Sequence, residues 1–397
     1  MMNVLLDFLS NLLYNIIRHS GSSTVPRRGC YTKNIQSKER NMKYDFPITK
    51  NPNPKAKPDP DTLRFGTEFT DHMFIMEYED GKGWHDGRIV PYGPLSLDPA
   101  AVVFHYAQEM FEGLKAYKTA AGKVQLFRPD MNAKRTNRTN NRLCIPAIDE
   151  ELYVEAIKAL VKVDADWIPQ KEGTSLYIRP FIIADEAFLG VRRSTHYKFI
   201  IILSPVGPYY VGGLTPTKLY VEDKYVRATD GGTGEAKCGG NYAASLKAQE
   251  EAHAKGFEQI LWLDGVHRKY VEEVGTSNAF FVIGDEVVTA PLDGTILPGI
   301  TRDSVIALLK KKGIKVSERK LAIDEVVEAY KNGQFKEMFA SGTAAVISPV
   351  GELRYMDETM IINNGEIGPI AQELYDTIYG IQTGTVEDTM GWTVEIK

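Results

Sequence analysis

Apolar and polar positions along this chain follow two periods. Over residues 149–163, Leu152, Ala156, Ala159, Leu160 and Val163 recur at helical spacing, which predicts an amphipathic helix. Further helices are predicted near Pro99 and over 130–142, 301–312 and 323–332, together with an alanine-rich one over 241–255 that Gly256 closes. Branched and aromatic runs predict strands over 72–78, 87–90, 114–117, 177–183, 197–203, 218–221 and 259–263. The 197–203 run is nearly all apolar, so it is expected to be buried on both faces. Asp264-Gly265 signals a tight hairpin turn, and several short strands follow up to Ala290.

Proline and glycine punctuate this pattern. Residues 51–60 form a proline-rich, extended lead-in that cannot be helical. Residues 204–213 hold two prolines and three glycines and read as an interdomain connection. The expected organisation is a smaller domain over 43–207, a linker over 208–213 and a larger domain over 214–397. The fold class is α/β with mixed α+β, hairpin-rich character rather than a strict βαβ repeat.

Residues 1–42 stand apart. Leu5, Leu9, Leu12, Leu13, Ile16 and Ile17 recur at helical spacing, and a basic tract with Arg27, Arg28, Lys33, Lys38 and Arg40 follows. Three readings are open: an extension ahead of Met42 with no folded role, an organelle transit peptide, or a membrane-surface helix. The apolar run is too interrupted to span a bilayer. The first reading places the protein in the cytoplasm, the second in a mitochondrion or plastid.

Composition narrows the function. The 397 residues are 43% hydrophobic with a net charge of -5, enough for two cores and offering no electrostatic case for nucleic acid. Cys30, Cys144 and Cys238 are far apart and lack zinc-ligand spacing, so a reducing compartment and no structural metal are expected.

The candidate chemistry centres on the run from Gly231 to Tyr242. Lys237 lies among five glycines, where a flat ligand can approach an amine, and Tyr242 can add a phenol. This suits a lysine that forms a Schiff base with a carbonyl cofactor, against the plainer reading of a solvated loop lysine. Leu297-Pro298-Gly299-Ile300-Thr301 precedes a helix, either as a phosphate site or as an ordinary threonine cap. Ser341-Gly342-Thr343-Ala344-Ala345 is a small-residue turn whose backbone donors could hold an anion. Arg128 and Arg135 could clamp a phosphate or belong to a solvated basic helix. Glu273 ends a strand before a glycine turn; buried there, it would need a cationic partner such as a protonated pyridine nitrogen. Tyr106, Phe111 and Tyr177 could line an apolar pocket or simply fill a core. Amine, phenol, carboxylate, anion nests and arginine together are the needs of pyridoxal 5'-phosphate.

From about Asp71 onward the chain resembles the fold-type IV pyridoxal-phosphate enzymes, and closely the branched-chain amino acid aminotransferases. The class pattern runs from Glu273 through Asn278, Ala279 and Phe280, then Val287-Val288-Thr289, then Leu297 to Arg302. The subgroup adds His105-Tyr106, Phe111-Glu112-Gly113-Leu114-Lys115, Tyr177-Ile178-Arg179-Pro180, Gly239 to Tyr242 and Ser341 to Ala344. The resemblance implies transamination of L-leucine, L-isoleucine and L-valine with 2-oxoglutarate, giving 2-oxo acids and L-glutamate. It implies that Lys237 holds the cofactor and moves the substrate proton. Glu273 would hold the ring nitrogen protonated, and Tyr242 would bond the ring hydroxyl oxygen. Arg135, Ile300, Thr301 and Thr343 would bind the phosphate, and Thr343 and Ala344 would face the substrate carboxylate. Tyr106, Phe111 and Tyr177 would wall the side-chain pocket, with Arg179 for the second carboxylate of glutamate. Leu189, Val191 and Tyr209 match positions lent to a neighbouring subunit, which implies a homodimer. Ala345-Val346-Ile347-Ser348 stands where the animal mitochondrial type has a redox Cys-x-x-Cys, so no thiol switch is expected there. A D-amino acid aminotransferase and an aminodeoxychorismate lyase are rivals of the same fold, and a non-catalytic phosphate-binding module is a rival of another class.

Overall fold

A computed structural model describes residues 44–209 and 213–397. The readings made for residues 1–42, and residues 210–212 of the 208–213 linker, lie outside the described residues.

The elements in chain order are β1 (His72–Glu79), β2 (Gly83–Pro91), α1 (Val102–Tyr106), β3 (Glu109–Phe111), β4 (Leu114–Lys118), β5 (Val124–Phe127), α2 (Pro129–Arg142) and α3 (Glu150–Val163). Then come β6 (Ser175–Ala184), β7 (His196–Val206), β8 (Thr217–Glu222), α4 (Gly239–Ala254), β9 (Gln259–Leu263), β10 (Val271–Val274), β11 (Ser277–Ile283) and β12 (Glu286–Thr289). The chain finishes with α5 (Ile300–Lys311), β13 (Lys315–Glu318), α6 (Ile323–Lys331), β14 (Phe335–Gly342), β15 (Val346–Tyr355), β16 (Glu358–Ile361), α7 (Pro369–Thr383) and β17 (Thr393–Ile396).

One sheet has the order β17-β5-β4-β6-β7-β1-β2, with β3 also on β6. Its strands pair antiparallel throughout. The other has the order β10-β9-β8-β15-β14-β11-β12-β13, with β16 on β15. Because β10 also pairs with β11, six of its strands close on themselves. The β8–β9, β8–β15 and β12–β13 pairs are parallel, so the class is mixed α/β. The final strand returns to the first sheet, where it covers the edge of β5.

Central strand β7 is buried on both faces, as its apolar run implied. Phe199, Ile201 and Leu203 enter the core beneath α3, while Ile200 packs with Met73, Ile75 and Ile183 on the other face. The strand continues to Val206, three residues into the expected connection. Pro205 is tolerated because β1 pairs β7 only as far as Ile201; beyond it Thr70 N–H reaches the Leu203 carbonyl at 3.1 Å, and Pro205 itself pairs only with Leu176 of β6.

Asp149 caps α3 by accepting the Leu152 N–H at 2.8 Å. Its buried stripe is Tyr153, Ala156, Ile157, Leu160 and Val161, rotated from the one expected. Leu152, Ala159 and Val163 flank the core instead, since the large ring of Tyr153 takes the central position against Phe199. The hairpin at Asp264-Gly265 exists, but its connection spans residues 264–270 rather than two residues. The Asp264 carboxylate accepts N–H groups from Val266, His267, Lys269 and Tyr270, and this stabilises the longer loop.

Candidate active site

Strand alternation builds the first wall of the site. Lys115 on β4 lies directly opposite Tyr177 on β6, and Phe111 on β3 lies opposite Phe181. Glu109, Phe111, Lys115, Tyr117, Tyr177 and Arg179 therefore share one face of the first sheet. In the second sheet Glu273, Asn278 and Ser341 are register partners on β10, β11 and β14.

Lys237 belongs to the segment that enters α4. Its Nζ donates to Tyr242 Oη at 2.8 Å and lies 4.8 Å from the centre of the Phe111 ring. The Phe111 and Tyr242 rings meet edge to face at 4.8 Å. The backbone is tied down: Lys237 N–H donates to Thr139 Oγ1, and Lys237 O accepts from Phe111 N–H. The Asn241 amide closes the loop onto the Thr233 and Ala236 carbonyls. The glycines serve mainly this packing, not flexibility. A side chain at Gly234 would overlap the Thr295 carbonyl, and one at Gly239 would overlap Glu109; only Gly240 faces open space among the three. Cys238 is buried at the start of α4 in extended backbone outside any strand, and burial pushes its thiol up.

Glu273 is 1% exposed. Its Oε1 accepts from Leu297 N–H at 2.9 Å and from the Asn278 amide at 3.2 Å. Its Oε2 faces Arg227 Nε at 2.7 Å, so the cationic partner the sequence demanded is present in the chain itself. Burial pushes this carboxyl up, and Arg227 and the Leu297 N–H oppose the rise.

Gly299 is the cap residue of α5, with Ile300 and Thr301 in the first turn, so Thr301 is not the cap. The N–H groups of that turn have no intrahelical acceptor. A side chain at Gly299 would overlap Asn278, which explains the glycine by packing rather than by a ligand. Thr301, Ile300 and Thr343 border one small cavity with Lys115 and Asn132. Thr343 and Ala344 form the turn from β14 to β15, and the Lys115 amine donates to the Ala344 carbonyl at 2.7 Å.

Arg135 lies on α2 with its forked face on Glu112, at 2.7 and 2.8 Å, and its Nη1 on the Pro298 carbonyl at 3.2 Å. One N–H on each terminal nitrogen stays uncommitted in this arrangement. The guanidinium holds buried Glu112 below the usual carboxylate range against the effect of burial. Arg128 points elsewhere, binding Ser304 and Asp303 on α5.

Tyr177, Arg179 and Phe111 come together: Arg179 Nη2 donates to Tyr177 Oη at 3.0 Å and its guanidinium lies 4.8 Å from the Phe111 ring centre. Tyr106 does not join them through any direct contact. It bonds the Leu189 carbonyl beside exposed Phe104, Phe188 and Val191. Tyr209 borders a cavity of its own chain, together with Lys115 and Ala344.

Sequence reasoning missed several residues here. Phe65, five residues past the proline-rich lead-in, packs its ring edge to face on Tyr177 at 4.8 Å, and no local pattern marked it. Glu109 bonds Gly239 N–H at the unsatisfied start of α4, where no side chain of the helix itself caps it. Burial pushes the Glu109 carboxyl up. Arg227 carried one signal, the need of buried Glu273 for a cation.

Known proteins resemble this chain in sequence and in fold. The family model "Amino-transferase class IV" matches residues 109–353. Branched-chain-amino-acid aminotransferase 2 of Bacillus subtilis (strain 168) is 63% identical over 342 residues, covering 86% of this chain and 94% of the relative. The chain belongs to the branched-chain amino acid aminotransferases of class IV. Branched-chain-amino-acid transaminase 1 of the same strain is 55% identical, covering 86% and 96%. A solved branched-chain amino acid aminotransferase from Escherichia coli has a TM-score of 0.66 at 25% identity, covering 82% of this chain and 99% of that one. A second solved branched-chain amino acid aminotransferase, with pyridoxamine 5'-phosphate, has a TM-score of 0.67 at 27% identity, covering 82% and 98%. Class IV aminotransferases use pyridoxal phosphate, and the residues here fit such a group. They offer an amine beside a phenol, a buried carboxylate with a countercharge, and unbonded N–H groups at the start of α5.

Proposed function

We propose that this aminotransferase transfers the amino group of L-leucine, L-isoleucine or L-valine to 2-oxoglutarate with pyridoxal 5'-phosphate as its cofactor. The observation that carries the reading is the Lys237 amine at 2.8 Å from Tyr242 Oη and 4.8 Å from the Phe111 ring centre, with the Arg179 guanidinium 4.8 Å from the same ring and bonded to Tyr177. When bound, the cofactor supplies an electron sink and a carbon that carries the amino group.

The chain's own residues do the rest. Lys237 holds the cofactor, and once its amine is free it takes the proton from the substrate Cα. Glu273 takes the ring nitrogen and Tyr242 the ring hydroxyl oxygen. The first-turn N–H groups of Ile300 and Thr301, the Thr343 hydroxyl and the spare N–H groups of Arg135 take the phosphate. The backbone donors of Thr343 and Ala344 take the substrate carboxylate. Phe65, Phe111 and Tyr177 exclude water around an aliphatic side chain, and Arg179 accepts the second carboxylate of glutamate. One methylene in such a pocket is worth about 1–3 kcal/mol, so discrimination among the three aliphatic substrates is mild.

Exposed Phe104, Phe188, Leu189 and Val191 form an apolar patch that suits a second copy of the chain, with Tyr106 at its margin. A homodimer is the expected state in solution, measurable by light scattering. No helix among the described residues is long and apolar enough to cross a membrane. With widely spaced cysteines, the cytoplasm is the compartment we propose.

Lys237→Ala tests the assignment. Turnover of leucine with 2-oxoglutarate falls at least a thousandfold, and the visible absorbance of the bound cofactor disappears. Near-normal turnover in that variant refutes the role of Lys237. Faster use of D-alanine than of L-leucine by the unaltered enzyme favours the D-specific rival instead.

A further inference from the structure

Arg227 lies ten residues before Lys237, and its side chain is 8% exposed. Each nitrogen of its guanidinium engages a different segment of the site. Nε faces Glu273 Oε2 at 2.7 Å, Nη1 donates to the Thr295 carbonyl at 2.8 Å, and Nη2 donates to the Gly234 carbonyl at 3.0 Å. Those acceptors belong to β10, to the stretch leading into α5, and to the Lys237 loop. In the function proposed above, these segments carry the acid for the ring nitrogen, the phosphate donors and the reactive amine.

We infer that Arg227 is a positioning residue that seats the Glu273 carboxylate for the cofactor's ring nitrogen, its guanidinium held in place by the Gly234 and Thr295 carbonyls. The inference rests on the cofactor reading above and adds a residue to it. A carboxylate this buried is costly without a countercharge. Oε1 has two neutral donors, the Leu297 N–H and the Asn278 amide, whereas Arg227 is the cation on Oε2. Burial pushes the Glu273 carboxyl up, and Arg227 is the largest influence against that rise. A neutral acid cannot stabilise a protonated ring nitrogen by charge. Arginine suits the task because it stays charged when buried and its planar fork reaches three acceptors at once. Lysine could meet the carboxylate but not both carbonyls.

The test compares Arg227→Gln, Arg227→Lys, Glu273→Gln and the double variant Arg227→Gln/Glu273→Gln in the full chain. Pyridoxal phosphate is titrated into cofactor-free protein by fluorescence, and leucine kinetics are measured on the loaded enzymes. Arg227→Gln is expected to raise the cofactor Kd at least tenfold and to lower kcat more than it raises KM. Arg227→Lys recovers most of the cofactor affinity. The double variant binds the cofactor within about twofold of Glu273→Gln alone, because both changes act through one carboxylate. Affinity of Arg227→Gln within twofold of the unaltered protein overturns the inference. So do losses that multiply in the double variant. If Arg227→Gln does not fold, Arg227→Lys decides through kcat, which falls more than twofold because lysine cannot meet both carbonyls that hold the guanidinium; kcat within twofold of the unaltered enzyme overturns the inference. A loss that disappears in the Glu273→Gln background supports the inference, and an equal loss in both backgrounds overturns it. Failure of the unaltered protein to take up pyridoxal phosphate would instead defeat the cofactor reading.

Discussion

Lys115→Met separates what a buried charge costs the fold from what it gives the site. Partly buried Lys115 lines two cavities, and its amine has a hydrogen bond to the Ala344 carbonyl at 2.7 Å. Burial pushes it down from 10.5 to about 8. At about 1.4 kcal/mol per pH unit, that gap puts a ceiling of about 3 kcal/mol on the cost of keeping it charged at pH 7. Water in the cavities lowers the figure, and the bond to Ala344 returns about 1 kcal/mol. Methionine has similar volume and no charge, so the cofactor-free variant should be about 1–2 kcal/mol more stable at pH 7. The pH dependence follows by linkage. Below pH 8 folded and unfolded chains both hold the proton, and the folded chain bears the full cost. Between pH 8 and 10.5 the unfolded chain binds more protons, so the native protein gains stability as pH rises while the variant does not. The advantage of the variant should therefore shrink from pH 8 to 10; other titrating groups are common to both proteins and cancel. Urea unfolding at pH 7, 8, 9 and 10 reads this directly. Catalysis should move the other way. Without its tether the 343–345 turn holds its donors less well, and KM for leucine and for 2-oxoglutarate should rise about tenfold. A variant at least 1 kcal/mol less stable at pH 7, or an advantage that does not narrow with pH, refutes the reasoning.

Phe65→Ala removes the ring that packs on Tyr177 at 4.8 Å. An aromatic pair is worth about 0.5–1.5 kcal/mol, so kcat/KM for leucine should fall about two- to tenfold, more than for glutamate, as steady-state assays with both substrates will show. Asp264→Ala removes an acceptor of four backbone N–H groups. Burial works against that charge, but the bonds from Tyr270, His267, Lys269 and Val266 outweigh it and hold the carboxyl below its usual range. The loss should be about 2 kcal/mol at pH 7 and should vanish as pH falls through the native carboxyl value, measured by denaturant midpoints from pH 7 to 3. Phe280→Ala opens a cavity beside fully buried Phe339, whose ring stacks at 5.0 Å, and should cost about 3–5 kcal/mol in the same assay.

Local pattern revealed the parts of this fold that local physics determines. The central strand β7 is apolar at nearly every position because both faces are covered, and that is visible in seven consecutive residues. The start of α3 follows local physics too: Asp149, taken from the sequence as the first helical residue, is its cap. The stripe itself was misplaced because Tyr153 wins the central position through its contact with Phe199, a residue far along the chain. The return of β17 to β5 left no local mark at all.

The same division runs through the site. Lys237, Tyr242 and Glu273 were legible because each sits in a short run whose glycines and spacing constrain it. Their neighbours were not. Phe65 reaches Tyr177 from the segment after the proline-rich stretch, and Glu109 reaches the start of α4 from the first sheet. The glycines of the Lys237 loop also changed meaning: Gly234 and Gly239 are small because a carbonyl and a carboxylate press against them. A loop packed this closely presents its amine in one direction. A charge demanded by one buried group must be met by another, and the sequence could state that demand for Glu273 without naming the residue that answers it. Arg227 answers it from the lead-in to the lysine loop, and in doing so it makes the geometry of the amine depend on the same guanidinium as the charge of the acid.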